Sequence, residues 1–160
     1  MAALAWVSIM VFVAFYFQEM LGTQQNPNQS LETRYHSDQI REVTLQRNKY
    51  GHYVTSGLVN GSPVVFMLDT GATGVAIPDH IARKLNIERG SQIRVQTANG
   101  AAIAYTASLE SVSVGDIILH DVSAGISPGL GGDEILLGMS FLKHIEFTQR
   151  GDTLILRQSF

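Results

Sequence analysis

Residues 64–78, Val-Val-Phe-Met-Leu-Asp-Thr-Gly-Ala-Thr-Gly-Val-Ala-Ile-Pro, constrain this chain more than any other stretch. An apolar run delivers Asp69 into a tight Thr70-Gly71 turn, and a second apolar run follows. A strand of this kind seeks the core, yet it ends on a carboxylate. An ionised group in an apolar setting has to be paired, hydrogen-bonded or neutralised. Thr70 offers a hydroxyl, and Gly71 lets the backbone approach closely. The segment is suited to holding one carboxylate at a fixed point beside open space, which is a catalytic arrangement. On its own, Asp-Thr-Gly also fits a plain turn with the aspartate as capping acceptor. The surroundings have to decide between the two.

With 160 residues there is room for one domain and some flanking sequence. Apolar residues make up 45% and charged residues 16%, enough to build a core. The net charge of -3 is slight and unsegregated, so nothing favours nucleic acid as a partner. The absence of cysteine excludes disulfides, thiolate metal sites and thiol nucleophiles. The five histidines (His36, His52, His80, His120 and His144) show no paired metal spacing, so neither metal nor cofactor is expected. Gly129-Leu-Gly-Gly132 lacks the Lys-Ser/Thr and the helix that a phosphate-binding loop requires.

Three pieces follow from composition. Met1 to Phe17 is almost entirely apolar and sits at the short end of the roughly 17–25 residues that span a bilayer. Trp6 and Tyr16 suit an interfacial position. No Ala-x-Ala-type site follows and no basic n-region precedes, which favours a retained transmembrane anchor over a cleaved signal. Lys and Arg are absent before Arg34, so charge alone sets no orientation. Residues 18–39 are rich in Gln, Asn, Thr and Ser and read as a flexible polar tether. The folded domain is expected over 40–160.

Within that domain the pattern is mostly β. Strands are predicted over 43–46, 52–59, 64–68, 93–97, 103–109, 111–114, 117–119, 134–137, 145–148 and 153–157, with a hairpin turn at Asn60-Gly61. Short helices are predicted over 79–85 and 140–144. Many short strands with close turns and one or two short helices describe a small closed β barrel. Apolar strand, glycine turn and helix occur around Asp69 and again around Leu137-Gly138, a faint echo of two halves packed round a shared centre.

The Asp ends an apolar strand, Ala72-Thr73 follows the turn, and Ile135-Leu136-Leu137-Gly138 comes later in the chain. Between them lies a hairpin tipped by Ala98-Asn99-Gly100-Ala101. In this combination the chain resembles the retropepsin-like aspartic proteases, and in particular the bacterial single-lobe group that carries an N-terminal membrane segment. The resemblance covers residues 42–158 and implies an all-β, acid-protease-type barrel.

The resemblance assigns Asp69 as the catalytic carboxylate and gives Thr70 and Gly71 the support of the active loop. Thr70 would bond across a dimer axis. Gly71, Ala72 and Thr73 would meet an extended polypeptide substrate from below. Thr73 stands where retroviral enzymes carry Asp. Ala98, Asn99, Gly100 and Ala101 would form a flap over the substrate. Leu136, Leu137 and Gly138 would pack behind the active loop. The chemistry needs two carboxylates sharing a proton. Asp79, Asp116, Asp121, Asp133 and Asp152 lack the strand-turn setting, so a homodimer with Asp69 opposite its own copy is expected. The implied location is a bacterial inner membrane, single-pass, with the domain in the periplasm. Two alternatives stand beside the endopeptidase: a catalytically silent peptide-binding or dimerisation module, and a protease confined to cleaving its own tether.

Overall fold

Asn60 and Gly61 both take positive φ, 49° and 77°, the geometry of a two-residue hairpin turn whose twist matches its strands. Through that turn β3 (Tyr53–Val59) folds back on β4 (Ser62–Leu68), in register from Val59↔Ser62 to Tyr53↔Leu68. The computed structural model describes residues 2–36, 39–97 and 100–159.

Around this hairpin the remaining strands close a ring. β9 (Glu134–Leu137) runs parallel to β4, and β5 (Val75–Pro78) meets its other edge at Ala76↔Leu136. β5 pairs in parallel with β8 (Ile117–Ser127), and β8 pairs antiparallel with β7 (Gly100–Val114). β7 returns to β3 at Leu58↔Ser113 and Val59↔Val112. The hydrogen-bonded circuit is therefore β3-β4-β9-β5-β8-β7 and back to β3, with β6 (Gln92–Thr97) paired to β7 outside it. Closure leaves the circuit without a free sheet edge.

A second sheet joins β1 (Thr33–His36), β2 (Ile40–Gln46), β11 (Thr153–Ser159) and β10 (Glu146–Arg150) in the order β1-β2-β11-β10. Period-two alternation aims Val43 and Leu45 of β2, with Leu154 and Leu156 of β11, into the same core as Phe66, Ile77, Leu109, Ile126 and Ile135. Two short helices, α2 (Asp79–Lys84) and α3 (Met139–Leu142), complete the body and bury Ala82, Phe141 and Leu142. The body is all-β with short helices, as the sequence predicts.

The chain enters through α1 (Ala2–Gln25). Its segment Trp6–Gln25 is long and apolar enough to cross a membrane. Trp6, Met10, Phe12 and Phe15 are all exposed, and Glu19 is the segment's one charged residue.

Residues 18–39, expected to be a loose tether, instead carry the last two turns of α1 and the strand β1. Asn28 explains the order. Its Nδ2 donates to the Val54 and Gln46 carbonyls at 2.7 and 2.9 Å, and its Oδ1 accepts from Gln46 N at 2.7 Å. Its own carbonyl accepts from Ser56 N at 3.1 Å. A buried polar side chain satisfied on every side fixes the segment it belongs to. Two further differences concern strand length. The pieces expected at 103–109 and 111–114 are one strand, β7, and β8 runs on from the expected 119 to Ser127.

One buried carboxylate ties the second sheet together. Glu42 lies opposite Arg34 on one side and Arg157 on the other. Arg157 Nε donates to Glu42 Oε2 at 2.7 Å, with His36 Nε2 at 3.5 Å. The hydrogen bond and charge of Arg157 hold the Glu42 carboxyl below the usual glutamate value of 4.5, against the opposing effect of burial. A depressed folded pKa gives stability that is present above 4.5 and lost as pH falls through the folded value. Glu42→Gln is accordingly expected to lower the melting temperature at pH 7, with the gap to wild type narrowing as pH falls below 4.5. Thermal melts across that range check it.

Candidate active site

Leu68, the last residue of β4, sits beside Leu137, the last residue of β9. The chain leaves β4 at Asp69, turns through residues 69–74 and returns as β5 on the far side of β9. The loop thus straddles a buried strand, and the end of that strand supports it from behind. Asp69 N donates to the Leu137 carbonyl at 3.2 Å, and Met139 N donates to the Ala72 carbonyl at 2.9 Å. Ala72 N closes the turn onto the Asp69 carbonyl at 3.2 Å.

Gly138 makes this approach possible. A Cβ there would lie 2.3 Å from the Gly74 carbonyl oxygen and 2.6 Å from that of Ala72, closer than real contacts permit. Only the absence of a side chain lets the two backbone segments touch. Ser140 then locks the exit of the loop. Its hydroxyl accepts from Val75 N at 3.0 Å and donates to the Ser123 carbonyl at 2.9 Å, linking the loop, α3 and β8.

Asp69 itself is half-buried, and its Oδ1 accepts from Gly71 N at 2.8 Å. That bond fixes the carboxylate rotamer over the turn. Thr70, Gly71 and Thr73 are exposed, so the carboxylate is presented at an open surface. A groove of about 460 Å³ lined by Gln29, Leu31, Leu58, Pro63 and Val64 does not include it. Nor does the smaller cavity beside Ser140 and His144. Among the described residues one protomer supplies a positioned carboxylate beside the exposed Thr70, Gly71 and Thr73.

The hairpin of β6 and β7 forms an arm. Gly100–Ala104 of β7 pair only with β6, whereas β8 joins from Tyr105 onward. The root is pinned where Gly90 N donates to the Thr106 carbonyl at 2.7 Å and Thr106 N to that of Ser91 at 2.9 Å. The Arg89 guanidinium lies 5.0 Å above the Tyr105 ring and pairs with Asp79. Ile93 and Ile103 on the arm are 38% and 52% exposed, apolar surface free to meet a ligand or a second copy. Gly100 and Ala101 lie on this arm, while the expected flap-tip residues Ala98 and Asn99 lie outside the described residues.

The structure thus brings Asp69 and Ala72 against Leu137 and Gly138, with Leu136 beside Met67 and Ala76, while Thr70 and Gly71 stay exposed on the turn. Thr73 stays on the loop's outer surface. Sequence reasoning missed Ser140, which it read only as the start of a helix. Its place two residues after Leu-Leu-Gly was the available signal. Ser140→Ala would orphan Val75 N and is expected to cost about 1–3 kcal/mol, measured by denaturant unfolding against wild type.

Comparison with known proteins agrees with this geometry. The family model described as gag-polyprotein putative aspartyl protease matches residues 55–144. A protein from Sinorhizobium sp., known as an uncharacterized protein in the cobV 5′ region, is 35% identical over 125 residues, covering 76% of this chain and 54% of its own length. The uncharacterized protein RP867 of Rickettsia prowazekii (strain Madrid E) is 33% identical over 125 residues, with coverages of 75% and 53%. The chain spans about half the length of these curated relatives. Among solved structures, a retropepsin-like aspartic protease from Rickettsia conorii superposes with a TM-score of 0.61 at 28% identity, covering 81% of this chain and 95% of that one. EIAV protease, complexed with the inhibitor HBY-793, superposes with a TM-score of 0.50 at 17% identity over 62% of this chain and 92% of its own, a likeness of fold.

Proposed function

Because this chain belongs to the gag-polyprotein aspartyl protease family and has the retropepsin-like fold, we propose that it is an aspartic endopeptidase acting as a homodimer. The observation that carries this reading is Asp69, held by Gly71 N on a loop clamped by Leu137 and Gly138, and half-buried at an otherwise open surface. One protomer provides half a dyad. A twofold axis through the loop would set two Asp69 carboxylates face to face.

Like charges at that range cannot both ionise, so the pair holds one proton. The ionised carboxylate takes a proton from a bound water as the water oxygen attacks the scissile carbonyl carbon. The protonated one gives its proton to the carbonyl oxygen. As the resulting diol collapses, the carboxyl that took the water's proton gives it to the amide nitrogen and the C–N bond breaks. The other carboxylate takes the proton of one diol hydroxyl. The exposed Thr70 hydroxyls would bond across the axis, Gly71, Ala72 and Thr73 would line the floor for an extended chain, and the β6–β7 arm with Ala98–Ala101 would close over it. Leu136, Leu137 and Gly138 support the loop from behind.

α1 acts as a single-pass anchor in a bacterial inner membrane, a reading supported by its length, its apolar surface and the bacterial relatives, with the domain on the periplasmic side as the resemblance implies. Cleavage confined to the segment before β2 is disfavoured, because residues 18–25 are helical, Asn28 is bonded to Gln46 and Val54, and Thr33–His36 pair with β2. Hydrolysis of an unfolded polypeptide by the full chain in detergent, assayed over a dilution series at mildly acidic pH, tests the reading. Specific activity is expected to fall on dilution. A folded chain that dimerises and binds peptide without cleaving it would identify a binding module instead.

A further inference from the structure

The loop between β2 and β3 runs alongside the end of α1. Asn48 Nδ2 donates to the Gln25 carbonyl at 2.9 Å, and Lys49 Nζ donates to Gln24 Oε1 at 3.1 Å. Asn48 and Lys49 thus hold the last two residues of α1. Tyr50 follows in the turn closed by Gly51 N on the Asn48 carbonyl, and it is 61% exposed with the Lys49 ammonium 5.0 Å from its ring centroid.

The loop is also stiff. Asn48 Oδ1 accepts from Tyr50 N at 2.9 Å and from His52 N at 3.0 Å, while the Asn48 carbonyl accepts from Gly51 N at 3.0 Å. Asn28, fully hydrogen-bonded between β2 and β3, holds the helix exit to the two strands that flank this loop. The twenty residues Trp6–Gln25 reach about 30 Å as a helix, close to the thickness of the hydrocarbon core. Gln24 and the tip bonded to it then fall at the level of the lipid headgroups. An aromatic ring paired with a lysine suits that layer, the ring meeting the boundary and the ammonium meeting anionic phosphates.

We propose that Lys49 and Tyr50 form a second membrane contact that seats the folded domain on the headgroup layer in one orientation. This rests on reading α1 as a membrane span. Three points of attachment, the helix exit, the Asn28 clasp and this tip, remove the swivel that a loose tether would allow. The Asp69 surface is then held at a set height, and the substrates within reach are extended segments near the bilayer.

The chain has no cysteine, so single-cysteine labels report cleanly. Tyr50→Cys, Phe12→Cys and Lys84→Cys full-length chains, each carrying a small fluorophore, are reconstituted in phosphatidylcholine–phosphatidylglycerol vesicles. The vesicles carry nitroxides either on the headgroup or in mid acyl chain. Headgroup nitroxides are expected to remove most of the emission at position 50 and little at position 84 on α2, while acyl-chain nitroxides quench position 12. Quenching at 12, with position 50 behaving like 84, overturns the contact and leaves the anchor standing. No quenching at 12 by acyl-chain nitroxides overturns the anchor and the contact with it.

Discussion

Asp69→Asn is expected to abolish peptide hydrolysis while leaving fold and dimerisation intact. The amide oxygen of Asn can still accept from Gly71 N, which Asp69 Oδ1 does at 2.8 Å, so the turn keeps its shape. What disappears is the group that moves protons between water and substrate, an effect of roughly 10²–10⁴-fold when general acid–base catalysis is removed. With both Asp69 carboxylates replaced in a homodimer the loss lies at or beyond the upper end of that range. Initial rates on an unfolded polypeptide, with melting temperature as the control, measure it. Retained cleavage at unchanged stability would move the chemistry to another residue.

Gly138→Ala is the second large effect, and it acts through packing. The added methyl would collide with the Gly74 and Ala72 carbonyl oxygens, at 2.3 and 2.6 Å. Both are backbone atoms of the loop that carries Asp69, so neither can swing aside as a side chain could. Overpacking of this kind costs about 1–3 kcal/mol, and each 1 kcal/mol lowers the melting temperature of a small domain by roughly 4–8 °C. Relief has to come from moving the loop, and a displacement of about 1 Å at a reacting group can cost around 10²-fold in rate. Activity is therefore expected to fall further than stability alone accounts for. Gly129→Ala is the matched control: a Cβ there meets nothing within 4 Å. A melting curve and an initial rate for each variant separate the two costs.

The parts of the fold legible in the sequence are those where local chemistry and tertiary context agree. Asn60-Gly61 favours positive φ and takes it at both residues. Glu134–Leu137 reads as a buried strand from its apolar run, and β9 has those bounds. The backbone approach of the Asp69 loop to Gly138 depends on a residue type, glycine, that is visible in the sequence. Other parts depend on partners distant in sequence. The second half of β8, His-Asp-Val-Ser-Ala-Gly-Ile-Ser, has little strand propensity, yet β5 and β7 satisfy its backbone from both edges. β1 is an exposed edge strand without apolar alternation, ordered by its pairing with β2. Asn28 looked like one more polar residue of a tether until Gln46 and Val54 were seen to accept and complete its hydrogen bonds. Ser140 was opaque for the same reason, since its partners, Val75 and Ser123, lie 65 and 17 residues away.

The central claim is that each active site takes one carboxylate from each of two copies. Wild type and Asp69→Asn chains, mixed at fixed total concentration and allowed to exchange subunits, test it most directly. If one site needs both Asp69 residues, activity follows the square of the wild-type fraction, so an equal mixture retains about a quarter of the wild-type rate. A straight-line dependence, with about half the rate retained at equal mixing, would mean that each copy acts alone and would contradict the shared site.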